Sequence, residues 1–463
     1  LPEPVLAASG LNQRCCGAHL PEADPNRPLH AEEPIVRIGL ALRLDMNAAL
    51  LKLLRRLVQK GTLTVIFSSG RKVVLGDGTG KPAAMHITDD EAEKAILYDP
   101  GLKFGEMYMD GRIVIEEGDI FDVLAIIKSN GVENAATFAN SIVALGHVLR
   151  QQLKSRLPVN RNRYNVAHHY DLDGKLFNLF LDEDWQYSCA YFHPPGISLD
   201  EAQRAKKRHI AAKLLLEPGQ SVLEVGSGWG GLAMYLAEAT GVDVTGITLS
   251  EEQLKVSRER AARRGLSDRV RFELQDYRTL QGRQFDRIVS VGMFEHVGIG
   301  NYSNFFRKMK ELLKPDGVML LHSIGQVYKP WATNPWIEKY IFPGGYIPAL
   351  SEVLLPVEST RLLVKDIEIL PMHYAWTLRA WRERFAARRE EAVKLYDERF
   401  FRMWEFYLAA SETAFLYDKH FIFQLQLSPS LETVPVSRDY IEAKERELLE
   451  FEKTRSRLEL VAV

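Results

Sequence analysis

Val222-Leu223-Glu224-Val225-Gly226-Ser227-Gly228-Trp229-Gly230-Gly231 runs an apolar strand straight into a glycine loop and then into the helical stretch Leu232 to Glu238. Glycine belongs where backbone must turn sharply and come close to a ligand, and a helix start just beyond offers unpaired N–H groups. The spacing is Gly-x-Gly-x-Gly-Gly after the acidic Glu224, rather than the Gly-x-Gly-x-x-Gly that cradles a dinucleotide pyrophosphate. It favours an S-adenosylmethionine site.

The surroundings extend this reading. A second strand, Val242 to Thr248, follows one helix length later, and Ser250 with Gln253 three residues on marks the start of the next helix. A third strand, Val270 to Leu274, ends at Gln275-Asp276-Tyr277, and a fourth, Phe285 to Val291, ends at Gly292-Met293-Phe294-Glu295-His296. Alternating strands and helices predict a doubly wound α/β sheet, in which ligands sit beyond the carboxyl ends of the strands. A dinucleotide site would place an acidic residue at the end of the second strand. Thr248 and Leu249 stand there, and Glu251 and Glu252 read as first-turn helix residues.

With 463 residues, 46% hydrophobic and 26% charged, the chain can bury a large core and should divide into two or more domains. Its 59 basic and 61 acidic side chains give a formal charge of -2, which offers no electrostatic signature of nucleic-acid binding. Three cysteines, two of them adjacent at Cys15 and Cys16, make no disulfide framework, and a reducing cytosol is the simplest location. No apolar run reaches the roughly 18 to 20 residues that span a bilayer. Residues 1–45 lack a signal-peptide pattern and read as a disordered extension.

From residue 46 to 130 the pattern is a small α+β unit, with a strand at Gly61 to Phe67, a turn at Gly76-Asp77-Gly78, a capped helix from Asp89 to Leu97 and a strand after Asp110-Gly111. Nothing in it looks catalytic. Residues 131–165 join it to the rest as a linker that ends in the basic stretch Arg150 to Arg163. Such a run is either a solvated connection or a contact for anionic lipid headgroups, at about 1 kcal/mol per basic side chain near such a surface. The next block is dense in aromatics and contains His168, His169, Asp171 and Cys189, but their spacing matches no paired His or Cys ligand pattern, so no metal is expected. Trp331 to Leu350 is too irregular for a helix and reads as a channel loop or lid. Leu378 to Phe415 should form a helical cover with Leu378, Trp381, Phe385, Phe400, Trp404, Tyr407 and Leu408 inward, and Arg438 to Arg457 a charged, solvated helix. This predicts a catalytic domain over 166–430 and a charged tail over 431–463.

Tyr170-Asp171-Leu172, Tyr187 to Phe192, Glu224 to Gly230, Thr248 to Gln253, Phe294-Glu295-His296-Val297 and Leu321 to Gly325 together resemble the cyclopropane-fatty-acyl-phospholipid synthase family, to which the cyclopropane mycolic acid synthases are similar. The resemblance covers roughly Met46 to Leu427. It implies a Rossmann-like class I methyltransferase sheet, and the unit over 46–130 is similar to the small amino-terminal domain of the phospholipid-acting synthases. The implied reaction places the methyl carbon of S-adenosylmethionine on the cis double bond of an unsaturated phospholipid acyl chain, with bound bicarbonate as the base that removes a proton as the ring closes.

The positions that match the family's bicarbonate site are Glu295, His322, Tyr374 and the backbone at Cys189 and Ile324. Each has a plainer reading: a helix cap, a satisfied core histidine, a packed aromatic. For the cofactor, Gly226 and Gly228 would admit the methionine and ribose portions, Thr248 and Leu249 sit where ribose is read, and Gln253 would hydrogen-bond it. Tyr187 and Ser188 would close over the methionine end, and Asp276 would address the adenine amine. The resemblance further implies peripheral association with the cytoplasmic face of a membrane, helped by the basic stretch and by aromatics near Trp331 and Trp336, and leaves a homodimer open. Two other readings compete: a relative giving a methylene- or methyl-branched chain, and a lipid-binding protein without activity.

Overall fold

Runs of β-branched and aliphatic residues bounded by turn residues form two separate sheets, as the strand patterns predict. The computed structural model describes residues 47–131, 174–327 and 333–461. The 1–45 extension, the linker with its basic stretch, the His168, His169 and Asp171 group, and Trp331 lie outside the described residues.

The first sheet has the order β2-β1-β3-β4, from β1 (Leu63–Ile66), β2 (Lys72–Leu75), β3 (Ala83–Ile87) and β4 (Ile113–Glu117). The helices over 47–57, Asp90–Tyr98, Pro100–Met109 and Ile120–Ser129 accompany it. Asp89 caps the second of these by accepting from the N–H groups of Glu91 and Ala92, which is why the helix starts there.

The second sheet contains β5 (Ser221–Val225), β6 (Asp243–Thr248), β7 (Val270–Leu274), β8 (Phe285–Val291), β9 (Leu313–Gln326), β10 (Leu363–Leu370) and β11 (His420–Ser428), in the order β10-β11-β9-β8-β5-β6-β7. β11 runs antiparallel to both neighbours, and the pairs from β9 to β7 are parallel. Val222, Leu223, Ile288, Val289 and the run Met319 to Leu321 are almost wholly buried, as strands covered on both faces require. Chain order reverses between β5 and β8, so a crevice opens at their carboxyl ends. The doubly wound sheet expected from the glycine loop is therefore present, in the class I methyltransferase arrangement.

The two sheets lie within one compact unit, Met46–Val463. The helix Glu398–Tyr417 packs against Pro100–Met109 and Ile120–Ser129, and Tyr108 Oη donates to Glu405 at 2.5 Å. Two expectations change. The segment expected to be irregular holds a short helix, Pro335–Tyr340, capped by Asn334. Trp336 within it is 1% exposed, packed on Phe406 with centroids 4.6 Å apart, and its Nε1 donates to Met109 Sδ, so it does not face a lipid surface. The charged tail helix, Asp439–Val461, is docked rather than solvated. Glu445 lies 2.9 Å from His209 Nδ1, Glu452 accepts from Arg208 and Tyr235, and Leu448 is buried. Charge pattern alone hid this, because Glu445, Glu452 and Arg455 pair with residues on other helices.

Candidate active site

The crevice at the ends of β5, β6, β7 and β8 is a cavity of about 160 Å³, lined by Tyr187, Ser188, Gly226, Gly228, Thr248, Leu249, Gln253 and Asp276 among others. All eight positions singled out for a cofactor thus lie on one wall set. Gly226 has φ +86° and a Cβ there would stand 2.9 Å from Met293 Cβ, so a side chain is excluded on both conformational and steric grounds. Gly230, at φ +81°, starts the helix Gly231–Thr240, and a Cβ on it would meet Phe272 at 2.7 Å.

Local hydrogen bonds orient the polar groups of this crevice. Thr248 Oγ1 donates to Gln253 Oε1 at 2.8 Å, which leaves the Gln253 amide hydrogens to face a ligand, and Ser250 caps the helix that carries Gln253. Asp276 accepts from the Arg278 backbone and guanidinium and opens a short 3-10 turn. Glu224, at the end of β5, is buried, and burial pushes its carboxyl up to about 8. Trp185, Gln186, Trp229, Tyr277, Met293 and Asn301 also line the crevice. Sequence reading missed these, although Trp229 stands inside the glycine loop and Met293 beside Glu295.

A second cavity of about 600 Å³ holds all five positions singled out for the bicarbonate site: Cys189, Glu295, His322, Ile324 and Tyr374. Its wall is mainly apolar. It meets the cofactor crevice at Tyr187, Ser188, Gly292 and His296, which line both. Glu295 Oε1 accepts from the Ile324 N–H at 2.7 Å, while Oε2 is buried with no hydrogen-bond partner among the described residues. Burial raises the pKa of this carboxyl above the ordinary range. The Ile324 N–H is thus committed to Glu295 and reaches the site through it.

His322 is 2% exposed on β9, and burial holds it down at about 3, so the ring is neutral. Gln424 Nε2 lies 3.2 Å from Nδ1; with Nδ1 accepting, the ring proton sits on Nε2, which has no partner among the described residues. Tyr374, in the helix His373–Ala387, packs against Trp381 and Phe415. Cys189 is 1% exposed and burial pushes its thiol up, which disfavours the thiolate a nucleophile would need. Tyr187 donates to or accepts from Tyr407 Oη at 2.8 Å and stacks on Trp381, which holds it between the cavities.

The far wall of this cavity comes from the first sheet's helices, through Leu53, Leu54, Leu57, Ile96, Phe104 and Ile127. Nothing in the sequence distinguished these from ordinary core positions.

With the sheet and both cavities in place, comparison with known proteins becomes decisive. A family model described as mycolic acid cyclopropane synthetase matches residues 158–425. The chain belongs to that family. A second model, described as a domain of unknown function (DUF7884), matches residues 49–140, the region of the first sheet. The cyclopropane-fatty-acyl-phospholipid synthase of Escherichia coli K12 is 40% identical over 337 residues, covering 72% of this chain and 85% of that protein. The tuberculostearic acid methyltransferase of Mycobacterium tuberculosis is 35% identical over 378 residues, covering 79% and 87%. The crystal structure of a mycolic acid cyclopropane synthase complexed with SAH and CTAB matches 58% of this chain and 99% of its own at 34% identity, with a TM-score of 0.55. This member of the cyclopropane synthetase family is an S-adenosylmethionine-dependent methyltransferase.

Proposed function

We propose that the chain converts the cis double bond of an unsaturated phospholipid acyl chain into a cyclopropane ring, with bicarbonate held beside Glu295, His322 and Tyr374. The observation that carries this is the pair of orphaned polar atoms, Glu295 Oε2 and His322 Nε2, inside an otherwise mainly apolar cavity that adjoins the cofactor crevice. Buried polar atoms without partners are costly, so a small polar group between them fits the donor set. Bound S-adenosylmethionine supplies an electrophilic methyl, and bicarbonate a base for the proton that leaves as the ring closes.

The residues of the chain hold and orient. His322 offers an N–H, and Glu295 offers an oxygen whose proton can be present or absent, the capacity that an acid–base partner needs. The apolar wall keeps water from the electron-deficient carbon that forms when the methyl bonds to the alkene. Net, the alkene π bond, the methyl C–S bond and one methyl C–H bond break, one C–C bond forms at each alkene carbon, the C–S electrons stay on sulfur and the proton passes to the base.

Among the described residues no helix is long and apolar enough to cross a membrane. An acyl double bond reaches the cavity from a bilayer if the protein binds peripherally, which we place at the cytoplasmic face. The test is the product: cells expressing the chain should accumulate an acyl chain one CH₂ heavier than its monounsaturated precursor, with shielded cis-cyclopropane ring protons in the proton NMR spectrum. Olefinic methylene signals instead would assign the branched-chain reaction.

A further inference from the structure

The helix Leu199–Lys213 sends two side chains beneath the segment that separates the cavities. Gln203 Nε2 donates to the carbonyl oxygens of Gln186 at 3.2 Å and Ser188 at 2.9 Å, which fixes that backbone. Lys206 is fully buried, and its Nζ lies 2.8 Å from both Gln186 Oε1 and Ser188 Oγ. Other buried lysines of this helix pair with carboxylates, Lys207 with Asp184 and Lys213 with Glu368. Lys206 gives its hydrogens to two neutral oxygens rather than to a carboxylate, an arrangement that makes its burial costly. Such an expense needs a reason.

An ammonium donates and cannot accept. Ser188 Oγ therefore receives a hydrogen bond from Lys206 and must direct its own proton elsewhere, and Ser188 lines both cavities. We propose that Lys206 is a positioning residue that turns the Ser188 hydroxyl into a donor at the junction of the cavities and places positive charge behind it, so that the junction selects the carboxylate of the bound cofactor. This rests on the first cavity being the cofactor site, and not on the identity of the lipid or of the base. Lys206 feels Asp182 and Cys189 from the preceding segment, Glu224 from β5, Lys207 from its own helix and His322 from β9. Burial, the largest influence, brings it down to about 7. A neutral amine could accept from Ser188 and withdraw its donor. An anion at the junction favours the ammonium, so cofactor binding takes up a proton near neutrality, and affinity falls as pH rises through that value.

Calorimetric titration of the full chain with S-adenosylhomocysteine, without lipid, tests this between pH 6.5 and 8.5 in buffers of different ionisation enthalpy. The ligand's amine titrates alike in every variant, so differences between profiles report the protein. Lys206→Met should bind roughly tenfold more weakly, the worth of one charge-assisted hydrogen bond, and lose the proton uptake that the unmodified chain shows. Ser188→Ala should lose the same uptake, and the double variant should bind no worse than Lys206→Met alone. A Lys206→Met chain with a lowered Tm but unaltered affinity and proton uptake would mean a structural role only and overturn the proposal. If that variant does not fold, unchanged proton uptake in Ser188→Ala overturns it equally.

Discussion

The cofactor crevice draws its lining from Trp185 to Asn301, mostly from four successive strand ends, while the larger cavity collects residues from Leu53 to Ile422. The crevice is about 160 Å³ and is lined by the glycine loop and polar side chains such as Thr248, Gln253 and Asp276; the cavity is about 600 Å³ and mainly apolar, with Glu295 and His322 among its polar residues. One region is specified by local turns that only glycine and a helix start can make, the other by the packing of helices far apart in sequence. On the proposed function, the difference teaches that cofactor recognition is a local property of this chain and substrate recognition a global one. Substitutions should separate the two.

The largest separation is expected at Glu295. Glu295→Gln keeps an acceptor for the Ile324 N–H, yet an amide cannot gain and lose the proton at Oε2, so turnover should drop on the order of 10² to 10⁴-fold while cofactor affinity stays within about twofold. Steady-state rates and calorimetry on the same preparation check this, and parallel loss of both would merge the two regions functionally.

Gly226→Val attacks the other side. The residue needs φ +86° and has Met293 Cβ 2.9 Å from its would-be Cβ. A strain of about 1–3 kcal/mol should weaken cofactor binding on the order of tenfold or more, with retained circular dichroism showing that the chain still folds. A Val variant with unchanged affinity would show that the loop does not need its left-handed conformation.

A third substitution probes the cavity from the amino-terminal side. Ile127→Trp adds volume to a wall supplied by the helix Ile120–Ser129. Activity on a long monounsaturated chain should fall about tenfold, the lower end of the roughly 10- to 200-fold range usual for a misfit in a hydrophobic pocket, and cofactor affinity should not move. An enzyme indifferent to this change would detach the first sheet's helices from substrate binding.

The smallest effect belongs to Cys189→Ser. Its thiol is buried and pushed up, Sγ donates to the Ala190 carbonyl at 3.3 Å, and methyl transfer to an alkene requires no covalent enzyme intermediate. A folded Ser variant should retain activity within about threefold. Complete inactivation would give the sulfur a role in the cavity.

The glycine loop from Gly226 to Gly231, the strand periods and the caps at Ser250 and Asp89 were legible in the sequence, because each depends on residues within one turn or one strand of each other. Glu295 and His322 stood out for their places at strand ends and their match to a family pattern. Their burial, shifted protonation and unpaired side-chain atoms arise only when β8, β9 and β11 lie side by side. Nothing in the sequence singled out Lys206 or Gln203, and the tail helix read as a solvated one. Trp336 read as a membrane contact, and nothing in the sequence set Leu53, Leu54 and Phe104 apart.

The sequence by itself determined the sheet, the cofactor crevice and the reaction family, since periodicity and backbone conformation act over short distances along the chain. Only the tertiary structure decided which apolar faces enclose the larger cavity and which charges are buried, because one amphipathic face or one lysine serves equally well against solvent, core or cavity until its neighbours are in place.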